Sequence, residues 1–130
     1  MVETQLSIFL ENKPGVLADV SKMLGDNSIN IRGMSISDTV DHAVVRLIVD
    51  QPQKAIHLLG EHGALVVETE VLAVKLTDEP GALGKLADMF AHGEVNIEYA
   101  YGTSNGSQAT VFLRVSDTDK AVQLLSRERG

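Results

Sequence analysis

Apolar and polar positions along the chain repeat with a spacing of 66 residues. When residues 6–59 are placed over residues 72–125 without a gap, 16 of the 54 aligned positions are identical. Most other apolar positions of the first segment remain apolar in the second. A repeat of this length indicates two copies of one structural unit, which we place at 1–69 and 70–130. Features that both copies share are therefore the first place to look for function.

Each copy shows the pattern of a strand, a helix, two strands and a second helix. Leu6, Ile8 and Leu10 lie at every second position, which is typical of a half-buried strand. Apolar residues at helical spacing follow over 16–24, and Gly25–Asn27 ends that helix. A second strand is predicted from Ile29 to Ser37, with a turn at 38–41.

The third strand of each copy has the most regular alternation. Ala43, Val45, Leu47 and Val49 alternate with other residues, and the same four residue types recur 66 positions later, so they are predicted to face the core. Pro52 suits the first turn of a second helix. A fourth strand over 64–68 then passes into 71–74, the first strand of the second copy, with no linker between them.

These elements predict an α+β protein of two ferredoxin-like βαββαβ units in tandem. Each unit has an antiparallel sheet with strand order 4-1-3-2 and helices on one face. The 130 residues contain no counterpart of 65–69, so the second unit lacks its last strand. Because an unpaired sheet edge invites aggregation, we expect another segment to cover it. That segment is either a strand of a neighbouring subunit or residues 64–68 shared between the units.

Composition and charge exclude several classes of function. The net charge of −7 argues against binding to nucleic acid or to an anionic membrane surface. The chain begins without the basic and apolar segments of a signal peptide, so we expect a cytoplasmic protein. It has no cysteine, and its four histidines lack the spacing of metal ligands. No Gly-x-Ser-x-Gly motif or isolated carboxylate pair is found either, so we expect no metal, no cofactor and no enzymatic activity.

The junction between the first strand and the first helix of each copy carries the best candidate chemistry. It reads Asn12-Lys13-Pro14-Gly15-Val16-Leu17 in the first copy and Asp78-Glu79-Pro80-Gly81-Ala82-Leu83 in the second. The first N–H groups of a helix are free to bind a carboxylate, and glycine lets a ligand approach the backbone. Asn12 or Asp78 would accept a hydrogen bond from an ammonium group. A carboxylate site beside an ammonium site suits a free amino acid. The alternative is ordinary turn chemistry, with Asn12 or Asp78 as a helix cap.

The pattern Asn/Asp-x-Pro-Gly-x-Leu, an amphipathic helix and then Val/Ile-Asn-Ile resembles the ACT domain. The chain meets this pattern twice, at Asn12–Leu17 with Ile29–Ile31 and at Asp78–Leu83 with Val95–Ile97. Such domains are small-molecule regulatory modules of amino-acid metabolism, and they bind their ligands where two units meet. Leu10 and Leu76 stand where some serine-sensing members have histidine, so the identity of the ligand stays open.

The resemblance implies a set of ligand-binding residues in each copy. They are Asn12, Lys13, Pro14, Gly15, Val16, Leu17 and Asn30 in the first copy, and Asp78, Glu79, Pro80, Gly81, Ala82, Leu83 and Asn96 in the second. Tyr99 and Tyr101 occur only in the second copy and share one face of a strand, where they line a pocket or pack an interface. These differences predict that the two sites are not equivalent.

The resemblance leads to two functional hypotheses and one interaction surface. The first is a non-enzymatic regulatory protein that binds an amino acid. The second is a detached regulatory subunit that controls an amino-acid biosynthetic enzyme. The sheet face away from the helices is half apolar, which suits a homodimer contact or an ordinary solvated face. It carries Phe9, Val44, Ile48, Ala73, Thr110 and Phe112, interspersed with Arg46, Lys75 and Arg114.

Overall fold

A computed structural model of the chain describes residues 2–38, 42–104 and 106–129. The described residues form six strands and four helices in the order β-α-β-β-α-β-α-β-β-α. The elements are β1 Val2–Glu11, α1 Val16–Asp26, β2 Ile31–Asp38, β3 His42–Val49, α2 Pro52–Glu61, β4 Leu65–Thr77, α3 Ala82–His92, β5 Ile97–Ser104, β6 Gln108–Val115 and α4 Thr118–Arg129. The predicted turn at 38–41 lies largely outside the described residues, although Asp38 is the last residue of β2.

The chain separates into two compact units. The first unit is Thr4–Thr69, and the second consists of Met1–Glu3 with Glu70–Gly130. β4 belongs to both, since it runs without a break from the last strand of the first unit into the first strand of the second. This continuity was expected from the absence of a linker after residue 68.

The strand order of the first unit confirms the ferredoxin-like prediction. It runs β2-β3-β1-β4, and β3 pairs antiparallel with both β1 and β2. In the second unit the order is β4-β6-β5, again with antiparallel pairs. The described residues after Val115 form α4, so this unit has no fourth strand of its own there. Residues 64–68, one of the two segments expected to cover its edge, fall in the first unit.

Each unit has a hydrophobic core between its sheet and its two helices. In the first unit the predicted inward residues of β1 and β3 are buried, with Leu6, Ile8, Val45 and Leu47 all at most 1% exposed. In the second unit Leu72, Val74, Leu113 and Phe90 form the corresponding layer. The period-two pattern therefore identified the correct face of both sheets.

The predicted interaction surface on the other sheet face needs a correction. Ile48 is fully buried and Phe112 is only 4% exposed within the single chain, so neither is available to a second copy. Phe112 packs on Tyr101, with the ring centroids 5.4 Å apart. Phe9, at 40% exposure, is the large apolar residue of that set that remains open. Alternation shows which residues share a face, but it does not show whether that face is covered.

Two glycines are expected to respond to alanine in opposite directions. A Cβ atom at Gly102, on β5, would lie 2.6 Å from the Thr110 carbonyl oxygen of the neighbouring strand. We expect Gly102→Ala to lower the free energy of unfolding by about 1–3 kcal/mol, because that backbone must move. Gly25, in α1, has open space at its Cβ position, so Gly25→Ala should raise the free energy of unfolding by about 0.5–1 kcal/mol. Urea denaturation measures both, and a Gly102→Ala variant as stable as the native protein would contradict the assigned strand contact.

Candidate functional site

The two Pro-Gly loops follow the same backbone path. Gly15 and Gly81 are the N-cap residues of α1 and α3, and both have a φ of 91°, in the left-handed region that favours glycine. The N–H groups of Asp19 and Lys85 donate to the carbonyls of Gly15 and Gly81, each at 3.0 Å. Since glycine is the cap and no side chain caps either helix, the interpretation of Asn12 or Asp78 as helix caps is wrong.

The first turns of α1 and α3 present backbone N–H groups without acceptors. Val16 and Ala82 make long contacts of 3.5 and 3.3 Å to the carbonyls of Lys13 and Glu79. Within the described residues, the next two amides of each helix, at 17–18 and 83–84, have no hydrogen-bond acceptor. The macrodipole gives these ends a partial positive charge, so each can bind a carboxylate.

The side chains around the two loops differ in charge. In the first loop Lys13 forms an ion pair with Glu11 at 3.0 Å, but both side chains are more than half exposed, so the pair contributes little stability. In the second loop Asp78 and Glu79 replace Asn12 and Lys13. The second loop is therefore the more acidic and the less favourable for an anion.

Asp78 is held by the hairpin between β5 and β6. Its carboxylate accepts a hydrogen bond from the Ser104 hydroxyl, and its N–H donates to the Ser107 carbonyl at 3.1 Å. In the first copy Asp38 stands in place of Ser104, and the counterpart of Ser107 is Asp41, which lies outside the described residues. Sequence reasoning missed Ser104 because the contact joins residues 26 positions apart and no local pattern reports it.

A groove adjoins each loop on the side of the helices. The groove of the first unit has a volume of about 450 Å³ and that of the second about 990 Å³. Small-ligand sites in proteins typically measure about 300–1,000 Å³. The shared lining is formed by Lys13, Val16, Asp19, Val20 and Met23 in the first unit, and by Glu79, Ala82, Lys85, Leu86 and Met89 in the second. The first residue of each helix, Val16 or Ala82, lines its groove, so each groove begins at the helix end that carries the free N–H groups.

The structure does not bring Asn30 and Asn96 to the loops of their own units. The first loop follows Glu11, which pairs with His42, whereas Asn30 precedes Ile31, which pairs with Val49. Seven residues of extended strand separate these ends, about 23 Å. At the far end, the Asn30 N–H donates to the Asp50 carboxylate and the Asn96 N–H to the Ser116 hydroxyl, each at 2.9 Å.

The two tyrosines also lie away from the helix N-terminus. Tyr99 is opposite Arg114 and Tyr101 opposite Phe112 in the β5–β6 ladder, on the sheet face that is turned away from the helices. Both tyrosines are half-buried. The ring contact between Tyr101 and Phe112 favours packing over lining the groove beside α3.

Two features are absent from the described part of the chain. Residues 2–38, 42–104 and 106–129 contain no group of three His, Asp or Glu side chains placed to hold a metal ion. No helix in that part of the chain is long and apolar enough to span a membrane.

Comparison with known proteins places the chain in a family. A family model described as the ACT domain pair matches residues 1–129. A solved protein from Bacteroides thetaiotaomicron is 36% identical with a TM-score of 0.96, over 99% of this chain and 90% of that chain. No curated protein matches the chain.

Two further solved structures share the fold at low sequence identity. The ligand-free regulatory subunit of aspartate kinase from Thermus thermophilus has a TM-score of 0.73 at 16% identity, over 98% of this chain and 96% of that chain. The corresponding subunit from Thermus flavus has a TM-score of 0.65 at 16% identity, over 99% and 93%. With the repeated βαββα elements and the repeated Pro-Gly loops, the family match is decisive, and the chain belongs to the ACT domain pair family.

Proposed function

We propose that this protein is a non-enzymatic regulatory protein that binds a free amino acid at its Pro-Gly loops. The observation that carries the proposal is the pair of helices that begin at left-handed glycines, each with two free N–H groups beside a groove. Those groups suit the carboxylate of an amino acid, and the apolar floor of the groove suits its side chain.

The first loop is the stronger candidate of the two. Its Asn12 side chain is exposed and uncharged, so its amide oxygen can accept from the ammonium group of the ligand. Lys13 is paired with Glu11, so this loop adds no net negative charge beside a bound carboxylate. In the second loop Asp78 is already bonded to Ser104, and Glu79 opposes a bound carboxylate. We therefore propose two sites of unequal affinity, with Asn30, Asn96, Tyr99 and Tyr101 outside the site that each unit forms by itself.

Occupancy would act by stabilising one arrangement of the protein over another. A ligand shifts such an equilibrium only as far as its affinities for the two arrangements differ. We place this regulation in a homodimer.

A detached regulatory subunit is the second candidate function. It is favoured by the Thermus proteins of the same fold, which are described as regulatory subunits of aspartate kinase. The two candidates differ in whether an amino-acid biosynthetic enzyme binds the protein. Adding the purified protein to a captured enzyme of that class, with and without the effector, should change the rate of that enzyme only if the second candidate is correct.

A thermal-shift screen against the twenty amino acids tests the proposed function. A ligand at 100 times its Kd stabilises the folded protein by about 2.7 kcal/mol. For a chain of this size we expect one amino acid or a small group of them to raise Tm by more than about 5 °C. D-amino acids at the same concentration are the control, since they reverse the arrangement around the α-carbon. A flat response to all twenty L-amino acids would contradict the proposal.

A further inference from the structure

A chain of hydrogen bonds directs the Ser104 hydroxyl at Asp78 in the second unit. The Gly106 N–H donates to Oγ of Ser104 at 3.3 Å, and the hydroxyl donates in turn to Oδ2 of Asp78. Because a hydroxyl has one proton and a carboxylate oxygen accepts it, the direction of the second bond is set. The hairpin between β5 and β6 therefore presents an oriented donor to the first residue of the second loop.

A further bond ties the backbone of the second loop to the same hairpin. The Asp78 N–H donates to the Ser107 carbonyl at 3.1 Å, directly beyond the pair that Thr77 of β4 forms with Gln108 of β6. The hairpin thus holds Asp78 by its backbone and by its side chain. The side chains of Ser104 and Asp78 are both exposed, so their contact can be removed without opening the core.

The first copy has different residues at both ends of this contact. Asn12 stands at the position of Asp78, and Asp38 stands at the position of Ser104. Asp38 and Ser104 have the same place in the strand ladder, each opposite an alanine of the next strand. Asn12 and Asp38 are exposed and described, and no hydrogen bond joins them. Between these two matched positions, the side-chain contact therefore belongs to the second copy alone.

The contact affects the group that a ligand's ammonium would meet in the second loop. A free carboxylate accepts from an ammonium group more strongly than a neutral amide does, because the hydrogen bond is charge-assisted. By this rule alone, Asp78 should bind an ammonium group more tightly than Asn12 does. Ser104 occupies one carboxylate oxygen of Asp78 and holds that side chain on the hairpin, so the ammonium group has to compete with the hydroxyl.

We propose that Ser104 is a positioning residue that acts through Asp78 and lowers the affinity of the second loop for an amino acid. The proposal rests on the proposed function, since it concerns the ligand of that same loop. Ser104 sets how much of the Asp78 carboxylate the ammonium group can use. The two loops, whose helices begin at glycines with the same φ of 91°, thus differ in affinity through one side-chain contact. The second loop then responds at higher amino-acid concentrations than the first.

Glycine titrations followed by amide NMR test the proposal on the native protein and on two variants, Ser104→Ala and Ser104→Thr. Glycine is the probe because it has the carboxylate and ammonium groups of every amino acid and no side chain. In Ser104→Ala we expect the midpoint of the shifts at residues 82–85 to fall about three- to tenfold, the effect of one net hydrogen bond. The midpoint at residues 16–19 should not move. Ser104→Thr keeps the hydroxyl and should titrate like the native protein at both loops.

A double-variant cycle tests whether Ser104 acts through Asp78. In an Asp78→Asn background the carboxylate is gone, so a further Ser104→Ala change should leave the midpoint at residues 82–85 where Asp78→Asn alone puts it. Hydrogen exchange of the Asp78 amide, which is bonded to Ser107, reports on the hairpin backbone. It should be as slow in Ser104→Ala as in the native protein.

The outcomes separate this proposal from the proposed function. If residues 16–19 respond to glycine but the midpoint at 82–85 does not fall in Ser104→Ala, or falls equally in Ser104→Thr, the role of Ser104 is overturned and binding at the first loop stands. Faster exchange of the Asp78 amide in Ser104→Ala also overturns it, because Ser104 then holds the backbone. No response at either loop in any of these proteins contradicts the proposed function, and this proposal with it.

Discussion

Replacing Gly15 by valine should weaken effector binding at the first loop. Gly15 has a φ of 91°, a conformation that a β-branched residue adopts only under strain of about 1–3 kcal/mol. No neighbouring atom lies within 4 Å of its Cβ position, so the effect arises from the backbone and not from a clash. Relief of the strain moves the N–H groups at the start of α1 away from the bound carboxylate. We expect the Kd measured by calorimetry to weaken at least about tenfold, or about 1.4 kcal/mol.

Gly106→Val is the matched control for this experiment. Gly106 also has a positive φ, of 97°, and open space around it, but it lies in the hairpin of the second unit. Gly106→Val should lower the free energy of unfolding about as much as Gly15→Val does, while the first site keeps its affinity for the effector. The corresponding change at the second loop is Gly81→Val. An effector that binds the double variant Gly15→Val and Gly81→Val with native affinity would refute the assignment of both loops.

Replacing Phe90 by alanine should cause the largest loss of stability. Phe90 is fully buried in the core of the second unit, and truncation of a buried phenylalanine costs about 3–5 kcal/mol. A unit of about 60 residues buries only about 60% of its unfolded surface, so it has little stability to lose. We expect this unit to unfold at a much lower urea concentration than in the native protein.

The repeat supplies the control for the core substitution. Leu24, also fully buried, is the residue of the first unit at the position equivalent to Phe90. Phe90→Leu therefore installs the residue of the first copy and should cost less than about 1.5 kcal/mol. A Phe90→Ala variant that loses less than about 1 kcal/mol would show that the second unit relaxes around the cavity, against the packing described here.

The sequence predicted the fold because its local and repeated signals agree. Alternation in β3 and β6 identified the buried face, and Pro52 marked the start of α2. The lack of turn residues around 69 and 70 predicted that one strand runs from the first unit into the second. Each of these signals is set by neighbouring residues, so one sequence is enough to read them.

The parts that the sequence did not predict depend on residues far apart in the chain. Asn30 and Asn96 fit the family pattern, yet they lie at the opposite end of the sheet from the loops of their own units, because β2 begins where β1 begins. The bond between Ser104 and Asp78 joins the hairpin of β5 and β6 to the loop that follows β4. The burial of Ile48 and Phe112 likewise follows from tertiary packing, which alternation along one strand does not report.

An amide NMR titration tests the central claim, that the Pro-Gly loops bind an amino acid, most directly. Spectra of the labelled protein would be recorded with a mixture of the twenty amino acids and then with each component. We predict chemical-shift changes at residues 16–19 first, and at 82–85 only at higher concentration. The basis is the neutral Asn12 of the first loop and the bonded Asp78 of the second. Shifts confined to residues outside both loops, or no shifts at saturating amino acids, would contradict the account.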